Sequence, residues 1–220
     1  GYNPADKRDV LPQLKGAKEP GKDVMQRPDF NEFPLWSPNV SSRNGKKPIM
    51  FLLHTQEGNG NALSLAQWLA KPSSGVSYHY TVSQDPNDNG VTVVDTAHTD
   101  MASWSVLDFN AISINLCFAG SSVKWSREQW LRNSKALEAA AYLAVQDARK
   151  YGFKPVVVPP PYTSGTPGIS DHAYVTSRGI GTHSDVGRNF PWKEFSAFVA
   201  KYSGEQTQKP PTQPPPAPTS

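Results

Sequence analysis

The sequence predicts a mixed α/β domain in which helices cover a central β-sheet. Two observations lead to this prediction: short segments with strand-like apolar patterns are interspersed with segments whose apolar residues recur at helical spacing, and two of the strand-like segments are joined by the turn sequence DPNDNG. The chain has 220 residues, of which 37% are hydrophobic. That is enough for one buried core, so we expect a single domain with tails at both ends.

Five segments have the pattern of strands. A continuous apolar run predicts a buried strand in KPIMFLLHT (47–55), and VSYHYTVS (76–83) alternates between apolar and polar residues. VTVVDT (91–96) follows the DPNDNG turn, so these last two segments form a predicted hairpin. AISINLCFAG (111–120) and PVVV (155–158) are the other two predicted strands.

Three segments have the pattern of helices. They are ALSLAQWLAK (62–71), SREQWLRNSKALEAAAYLAVQDARKYG (126–152) and the closing segment FPWKEFSAFVAKYS (190–203). In the longest of them, Ser126 is the expected N-cap and Gly152 the expected stop signal.

The two ends of the chain lack this periodicity. Residues 1–46 carry little apolar pattern and predict an extended arm that wraps the domain. The Pro-rich segment GEQTQKPPTQPPPAPTS (204–220) favours polyproline II and is typical of a semi-rigid linker, here expected to lead to a further domain. Residues 47–203 are therefore the predicted folded domain.

Composition excludes several classes of partner. The net charge is only +3 and the Lys and Arg residues are scattered, so we expect no binding of nucleic acid. No apolar run approaches the roughly 18 residues of a membrane span, the N-terminus lacks the pattern of a signal peptide, and no heptad seam indicates an oligomer. We expect a monomer that does not insert into membranes.

The single cysteine, Cys117, excludes an intrachain disulfide and the cysteine spacings of zinc fingers. A metal ion therefore has to be held by His, Asp or Glu. His54 ends the first predicted strand, His172 lies in the long predicted loop 159–181, and His183 stands two residues before Asp185. Catalytic zinc sites use three such ligands and leave a fourth position to water, but scattered histidines in a domain of this size are more often surface or hydrogen-bonded residues, so spacing alone favours that interpretation. The HExxH helix of one large class of zinc proteases is absent.

A family resemblance narrows these alternatives. FLLHT, SYHYTV, MASWS, FNAISINLCFAG, a long Gln/Leu/Ala helix and SDVGRNFPW follow one another in an order similar to that of type-2 N-acetylmuramoyl-L-alanine amidases. These zinc-dependent enzymes include phage lysins and are related to the peptidoglycan recognition proteins. The resemblance covers about residues 47–200 and implies the mixed-sheet fold of that family. The amino-acid sequence of the last segments most resembles the amidase module of an actinobacteriophage endolysin, such as those of phages that infect mycobacteria.

The resemblance implies a zinc ion bound by His54, His172 and Asp185. Asp185 opens the segment DVGRNFPW, which stands where Asp-Pro-Gly-Pro-x-Phe-Pro-Trp is expected. His172 departs from the family pattern because the usual Gly-His is here Asp171-His172. His183 is the alternative second ligand, since it is close enough to Asp185 to share one ion.

The same resemblance implies catalytic roles for Tyr78 and His183. Tyr78 matches the family's active-site tyrosine, and His183 stands where a basic or polar residue steadies the tetrahedral intermediate or donates a proton to the leaving amine. The position of the glutamate found in many bacterial members holds Cys117, which we interpret as a buried core residue. The attacking group is then a zinc-activated water.

Other polar and aromatic residues have competing interpretations. We expect Trp104, Phe109 and Asn110 to bind substrate, although Trp104 and Phe109 could instead cap the sheet. Asp171 is a fourth ligand, a hydrogen-bond acceptor for a ligand histidine or an ordinary loop acid. We interpret His79 as a strand residue that faces away from Tyr78. We interpret His98 as an exposed turn residue.

These expectations define a function. The resemblance implies hydrolysis of the amide between N-acetylmuramic acid and L-alanine of bacterial peptidoglycan. The alternatives are a recognition module that binds muramyl peptide without cleaving it and a zinc peptidase that cuts within the stem peptide. As a phage endolysin, the protein is expected to be made in the host cytoplasm and to reach the cell wall after holin-mediated release.

Overall fold

A six-stranded mixed sheet forms the centre of the computed structural model, which describes residues 25–163 and 168–204. The strands of this sheet, in chain order, are β1 (Asn31–Pro34), β3 (Met50–Thr55), β4 (Tyr80–Gln84), β5 (Val91–Asp95), β7 (Ser113–Phe118) and β8 (Ile169–Asp171). Their spatial order is β1-β5-β4-β7-β3-β8. The hairpin of β4 and β5 is antiparallel, and all other neighbours in the sheet are parallel. The predicted α/β class with a mixed central sheet is confirmed.

Helices and a small second sheet surround this centre. The helices are α1 (Ala62–Leu69), α2 (Arg127–Arg132), α3 (Ser134–Tyr151), α4 (His172–Ser177) and α5 (Trp192–Ser203), with 3-10 turns at Pro72–Ser74 and Leu107–Ile112. Strands β2 (Val40–Ser41) and β6 (Ala102–Ser103) pair as an antiparallel ribbon. None of the helices in the described residues is both long and apolar enough to span a bilayer.

The two faces of the sheet are covered differently. Alternation along β3 sends Phe51 and Leu53 into the main core, where they meet the Ala-rich helix α3 and, beyond it, α5. On the opposite face, α1 covers β4 and β5, and its Leu65 and Leu69 pack against Cys117 of β7. Above β3 on this second face, Met50 and Leu52 pack against Tyr174 and Val175, and the candidate site lies beyond them at His54, near the carboxyl end of β3.

The long helix predicted for residues 126–152 is interrupted. Ser126 caps α2 by accepting a hydrogen bond from the backbone N–H of Gln129, and Gly152 ends α3 in the left-handed conformation, so both predicted signals are confirmed. Asn133 separates the two helices with a non-helical backbone, and its side-chain amide donates to the carbonyl of Gln129. Local hydrogen bonding by Asn competes with the helical ladder, which explains the break.

Two other predictions about local structure are corrected. Residues 155–158 form no strand; only an isolated bridge joins Val157 to Ile169. The strand is instead β8, which lies with α4 inside the segment predicted as a loop. This strand was not predicted because three residues between turns carry too little pattern to be identified. Within the predicted N-terminal arm, β1 is an edge strand of the sheet. Residues 1–24 of that arm and 205–220 of the Pro-rich segment lie outside the described residues.

A buried carboxyl group lies under the sheet, where Tyr80 of β4 donates a hydrogen bond to Asp147 of α3 at 2.7 Å. Burial raises the pKa of Asp147 to about 7, although the hydrogen bond from Tyr80 and the charge of Lys150 oppose the shift. An unfolded Asp titrates near pH 4. The folded state therefore binds this proton more tightly, and the stability that the group contributes is full below about pH 4 and is lost as the pH rises towards 7.

Asp147→Asn should remove this pH dependence, because the amide is neutral at every pH and keeps an acceptor for Tyr80. We expect the variant and the wild type to melt at similar temperatures at pH 4, and the variant to melt higher at pH 8. A difference of 1 kcal/mol corresponds to about 2–4 °C in a domain of this size. Thermal melts of both proteins at the two pH values, with the exposed Asp29→Asn as control, measure the difference. An equal melting difference at both pH values would contradict the assignment.

Candidate active site

Three side chains that are far apart in sequence meet at the open part of the sheet. The Nδ1 atoms of His54 and His172 are 3.1 Å apart, and each lies near a different oxygen of Asp185: His54 Nδ1 is 3.5 Å from Oδ2 and His172 Nδ1 is 3.3 Å from Oδ1. All three residues are buried. We call this arrangement the His-His-Asp triangle.

Strand register produces the triangle. His54 is the fifth residue of β3, and β8 runs parallel to β3 with Leu53 opposite Asp171. His172 follows Asp171 directly as the first residue of α4, which brings its ring beside that of His54. Asp185 is held from both sides: its carbonyl accepts from the Ala173 N–H at 2.8 Å, and its Oδ2 accepts from the backbone N–H of the last residue of β3 at 3.2 Å.

Asp171 connects the segment that carries His172 to the segment that carries Asp185, and we call it the clamp. Its Oδ1 accepts from the Tyr174 N–H at 3.1 Å as the N-cap of α4, and its Oδ2 accepts from the Val186 N–H at 3.0 Å. The Tyr162 hydroxyl also donates to it. Burial raises the pKa of Asp171 to about 7, against the effect of these hydrogen bonds. Asp171 thus braces the backbone on either side of the triangle, a role that none of the three sequence-based interpretations describes.

The triangle fits a zinc ion. With zinc–ligand bonds of 2.0–2.2 Å, the ligand atoms of a tetrahedral site are separated by roughly 3.3–3.6 Å. The two Nδ1 atoms are 3.1 Å apart; Asp185 Oδ1 lies 3.3 Å from His172 Nδ1, and its other oxygen, Oδ2, lies 3.5 Å from His54 Nδ1. Each of these separations is close to that range. Two imidazole nitrogens that face each other at 3.1 Å need a cation or a proton between them. Nitrogen and carboxylate donors are the set that zinc accepts, and three of them leave one position open.

The electrostatics of the site favour the ligating forms. Burial lowers the pKa of His172, although Asp185 opposes the shift, so the imidazole is neutral at pH 7. Burial would raise the pKa of Asp185, but hydrogen bonds with His172 and His54 outweigh it and move the pKa well below its usual range. Neutral imidazole and ionised carboxylate are the protonation states in which these groups bind metal.

Tyr78 and His183 both lie beside the triangle. The Tyr78 ring is 5.0 Å from that of His54, and burial, with Cys117 and Asp185 nearby, raises its pKa, so its hydroxyl remains a donor. The exposed His183 ring stacks on His172 at 4.3 Å, and its Nδ1 is 4.0 Å from the nearest oxygen of Asp185. The geometry thus brings His172 rather than His183 into the triangle.

The three expected substrate-binding residues lie in one loop, residues 104–110, which we call the rim, but they differ in their availability. Trp104 is 38% exposed, with its indole N–H donating to Ser41. Phe109 is partly buried against Tyr174. The Asn110 side-chain oxygen accepts from two backbone N–H groups of its own loop, so it shapes that loop.

Sequence reasoning missed two further surface features. Leu107 is 67% exposed and has a positive φ of 53°, which L-residues rarely adopt. A cleft of about 460 Å³ opens beside Tyr78, between the segment 56–59 and α1, and Trp68 of α1 contributes to its wall. Only the presence of a Trp on the polar side of an amphipathic helix could have indicated this cleft.

The remaining candidates lie outside the triangle. Cys117 is fully buried, and burial raises the pKa of its thiol, which makes it a core residue as interpreted. His98 is exposed in a turn, again as interpreted. His79 is fully buried and hydrogen-bonded.

One comparison with known proteins identifies a family, and another identifies the fold. A family model described as N-acetylmuramoyl-L-alanine amidase matches residues 44–188. Among solved structures, the Staphylococcus aureus hydrolase AmiA in complex with its ligand is similar at 16% identity, with 94% of this chain and 96% of that chain covered and a TM-score of 0.63. A mutant endolysin from Bacillus subtilis is similar at 16% identity, with 78% and 99% covered and a TM-score of 0.53. For the amidase LysC from Clostridium intestinale the values are 13%, 77%, 96% and 0.50. No curated protein sequence matches the chain.

Asp171→Ala should destabilise the protein. The substitution removes the N-cap of α4 and leaves the buried Val186 N–H without its acceptor, changes that together cost about 1–3 kcal/mol. The free energy of unfolding from denaturant titration measures this loss. Asp108→Ala, at an exposed position, is the control and should change it by less than about 0.5 kcal/mol. Equal stability of the Asp171 variant and the wild type would contradict the clamp.

Proposed function

The chain belongs to the type-2 N-acetylmuramoyl-L-alanine amidase family, and on that basis we propose that it is a zinc enzyme that cleaves bacterial peptidoglycan. The bond cleaved is the amide between the lactyl group of N-acetylmuramic acid and L-alanine of the stem peptide. His54, His172 and Asp185 hold the metal ion. Residues 47–203 form the catalytic domain in this proposal.

The observation that carries the proposal is the His-His-Asp triangle. Within the described residues it is the one group of three or more potential ligands whose donor atoms lie within 4.8 Å of one another. A zinc ion bound there supplies a Lewis acid that activates water and polarises the scissile carbonyl. The cleft beside Tyr78 and the exposed His183 ring, which lie next to the triangle, are where an extended substrate would reach the ligands in this proposal.

The chain's own residues supply the proton chemistry. The Tyr78 hydroxyl, kept protonated by burial, can donate a hydrogen bond to the carbonyl oxygen as negative charge develops on it. His183 is 67% exposed and can accept the proton of the attacking water and deliver it to the leaving amine nitrogen. Cys117 takes no part, because its thiol is buried and protonated.

We further propose that the domain is a module of a phage endolysin and acts as a monomer. The similarity of its sequence motifs to actinobacteriophage lysins supports this origin, as does a fold shared with a protein described as an endolysin. Synthesis in the host cytoplasm and holin-mediated release to the cell wall follow from that role.

Metal content and fragment mass test the central proposal. The wild-type chain should contain about one zinc ion, clear a suspension of cell walls, lose both on chelation and regain both when zinc is restored. Mass spectrometry of the released material should show intact stem peptides that begin with a free L-alanine amine. His54→Ala should keep the fold but lose zinc and clearing.

Other outcomes identify the alternatives. A metal-free chain that binds walls without clearing them, even with added zinc, would contradict the proposal and indicate a recognition module. Fragments cut within the stem peptide would indicate a peptidase.

His183→Ala distinguishes a catalytic role from a ligand role. We expect full zinc content and a loss of kcat of roughly 10²–10⁴-fold, the range contributed by a general acid–base group. Zinc content after dialysis and kcat measure both effects. A His183→Ala variant without zinc would show that His183 is a ligand.

A further inference from the structure

A buried polar network lies directly behind the His-His-Asp triangle, and its centre is Asn115 of β7. We infer that Asn115 is a positioning residue that fixes the ligand tautomer of His54, and that His79 and Arg43 connect it to the substrate rim. The inference rests on the proposed zinc site. It concerns residues to which neither the sequence motifs nor the family match gives a role.

The contact between Asn115 and His54 determines where the imidazole proton is. The Asn115 Oδ1 atom lies 2.8 Å from His54 Nε2, and both residues are fully buried. A side-chain oxygen can only accept, so Nε2 must carry the proton. Nδ1, which points into the triangle, is then the lone-pair nitrogen that a metal ion requires.

The orientation of the Asn115 amide is itself fixed. Its Nδ2 donates to the Ser103 hydroxyl at 3.1 Å and to the Ser113 hydroxyl at 3.0 Å. Each serine has a further partner, Ser105 for Ser103 and a backbone carbonyl for Ser113. The Ser113 hydroxyl already donates its proton to the Phe109 carbonyl at 2.7 Å, so it can only accept from Asn115. A flipped amide would place two oxygens against each other there, and the network therefore favours the accepting orientation towards His54.

His79 holds the backbone of Asn115. The ring Nδ1 of His79 accepts from the backbone N–H of Asn115 at 2.9 Å, and the backbone N–H of His79 donates to the Asn115 carbonyl at 2.8 Å. Its Nε2–H donates to the Met101 carbonyl at 2.8 Å, which assigns the proton to that nitrogen. Burial and the adjacent Arg43 charge lower the pKa of His79 to about 3, so these roles do not change at neutral pH.

Arg43 connects the network to the loop that contains the rim residues. Its guanidinium is buried, lies 3.4 Å from the His79 ring and donates to the carbonyls of Thr99, Asn110 and Ala111. The segment between these carbonyls includes Trp104. The guanidinium and His79 Nε2–H are both donors, so they do not bond each other; they are connected through the segment 99–101, where Arg43 donates to the Thr99 carbonyl and His79 to the Met101 carbonyl.

Zinc affinity tests the role of Asn115. Asn115→Leu has nearly the same volume but no acceptor, whereas Asn115→Asp keeps an acceptor for His54. Competition with a chelator should show a 10–100-fold loss of zinc affinity for the Leu variant, the range measured when such outer partners are removed, and affinity within about threefold of wild type for the Asp variant. Thr81→Val is the matched control, because it removes a buried hydroxyl from β4 that bonds α1 and not the site; it should lower stability and leave zinc affinity unchanged.

A spectroscopic readout covers the case in which the Leu variant does not fold. Long-range proton–nitrogen spectra of the wild-type protein, with and without zinc, should show His54 protonated at Nε2. Protonation at Nδ1, coordination through Nε2, or unchanged zinc affinity in the Leu variant would overturn the inference. If the wild type binds no zinc but His54 still carries its proton at Nε2, the proposed zinc site fails while the role of Asn115 is supported.

Discussion

The parallel register of three strands is the constraint on which the site depends. His54 pairs with Cys117 on one side, and Leu53 pairs with Asp171 on the other. A one-residue slip of β3 would turn His54 into the apolar core and Leu53 towards the triangle, because side chains alternate between faces. The core packing of Phe51 and Leu53 against α3 therefore holds a polar site on the opposite face in place.

Burying so many polar groups is unfavourable unless each has a partner. Around the triangle, the buried polar groups have specific hydrogen-bond partners. Asp171 holds two backbone N–H groups, and Asn115 satisfies His54 on the side away from the metal position. The same bonds that offset the cost of burial fix the directions of the ligand atoms. The hydrogen bonds that stabilise this region are therefore the same ones that orient the ligand atoms.

Local signals in the sequence predicted most of the fold. The long apolar strands, the Ser126 cap and the Gly152 stop are each determined by residues next to one another, and all are present in the structure. The three-residue strand β8 was missed because so short a segment carries too little pattern, and the break at Asn133 was missed because a single Asn in a helical pattern is a weak signal. For the site, motif resemblance identified the members of the triangle. The supporting residues Asn115, His79 and Arg43 were not identified, because the contacts between them join strands and loops that are distant in sequence.

The most direct test of this account is the position of the metal ion. Crystals of the zinc-loaded protein measured at the zinc absorption edge should give one anomalous peak within about 2.2 Å of His54 Nδ1, His172 Nδ1 and a carboxylate oxygen of Asp185. A peak on His183 in place of His172, or no peak at the triangle in crystals that contain zinc elsewhere, would contradict it.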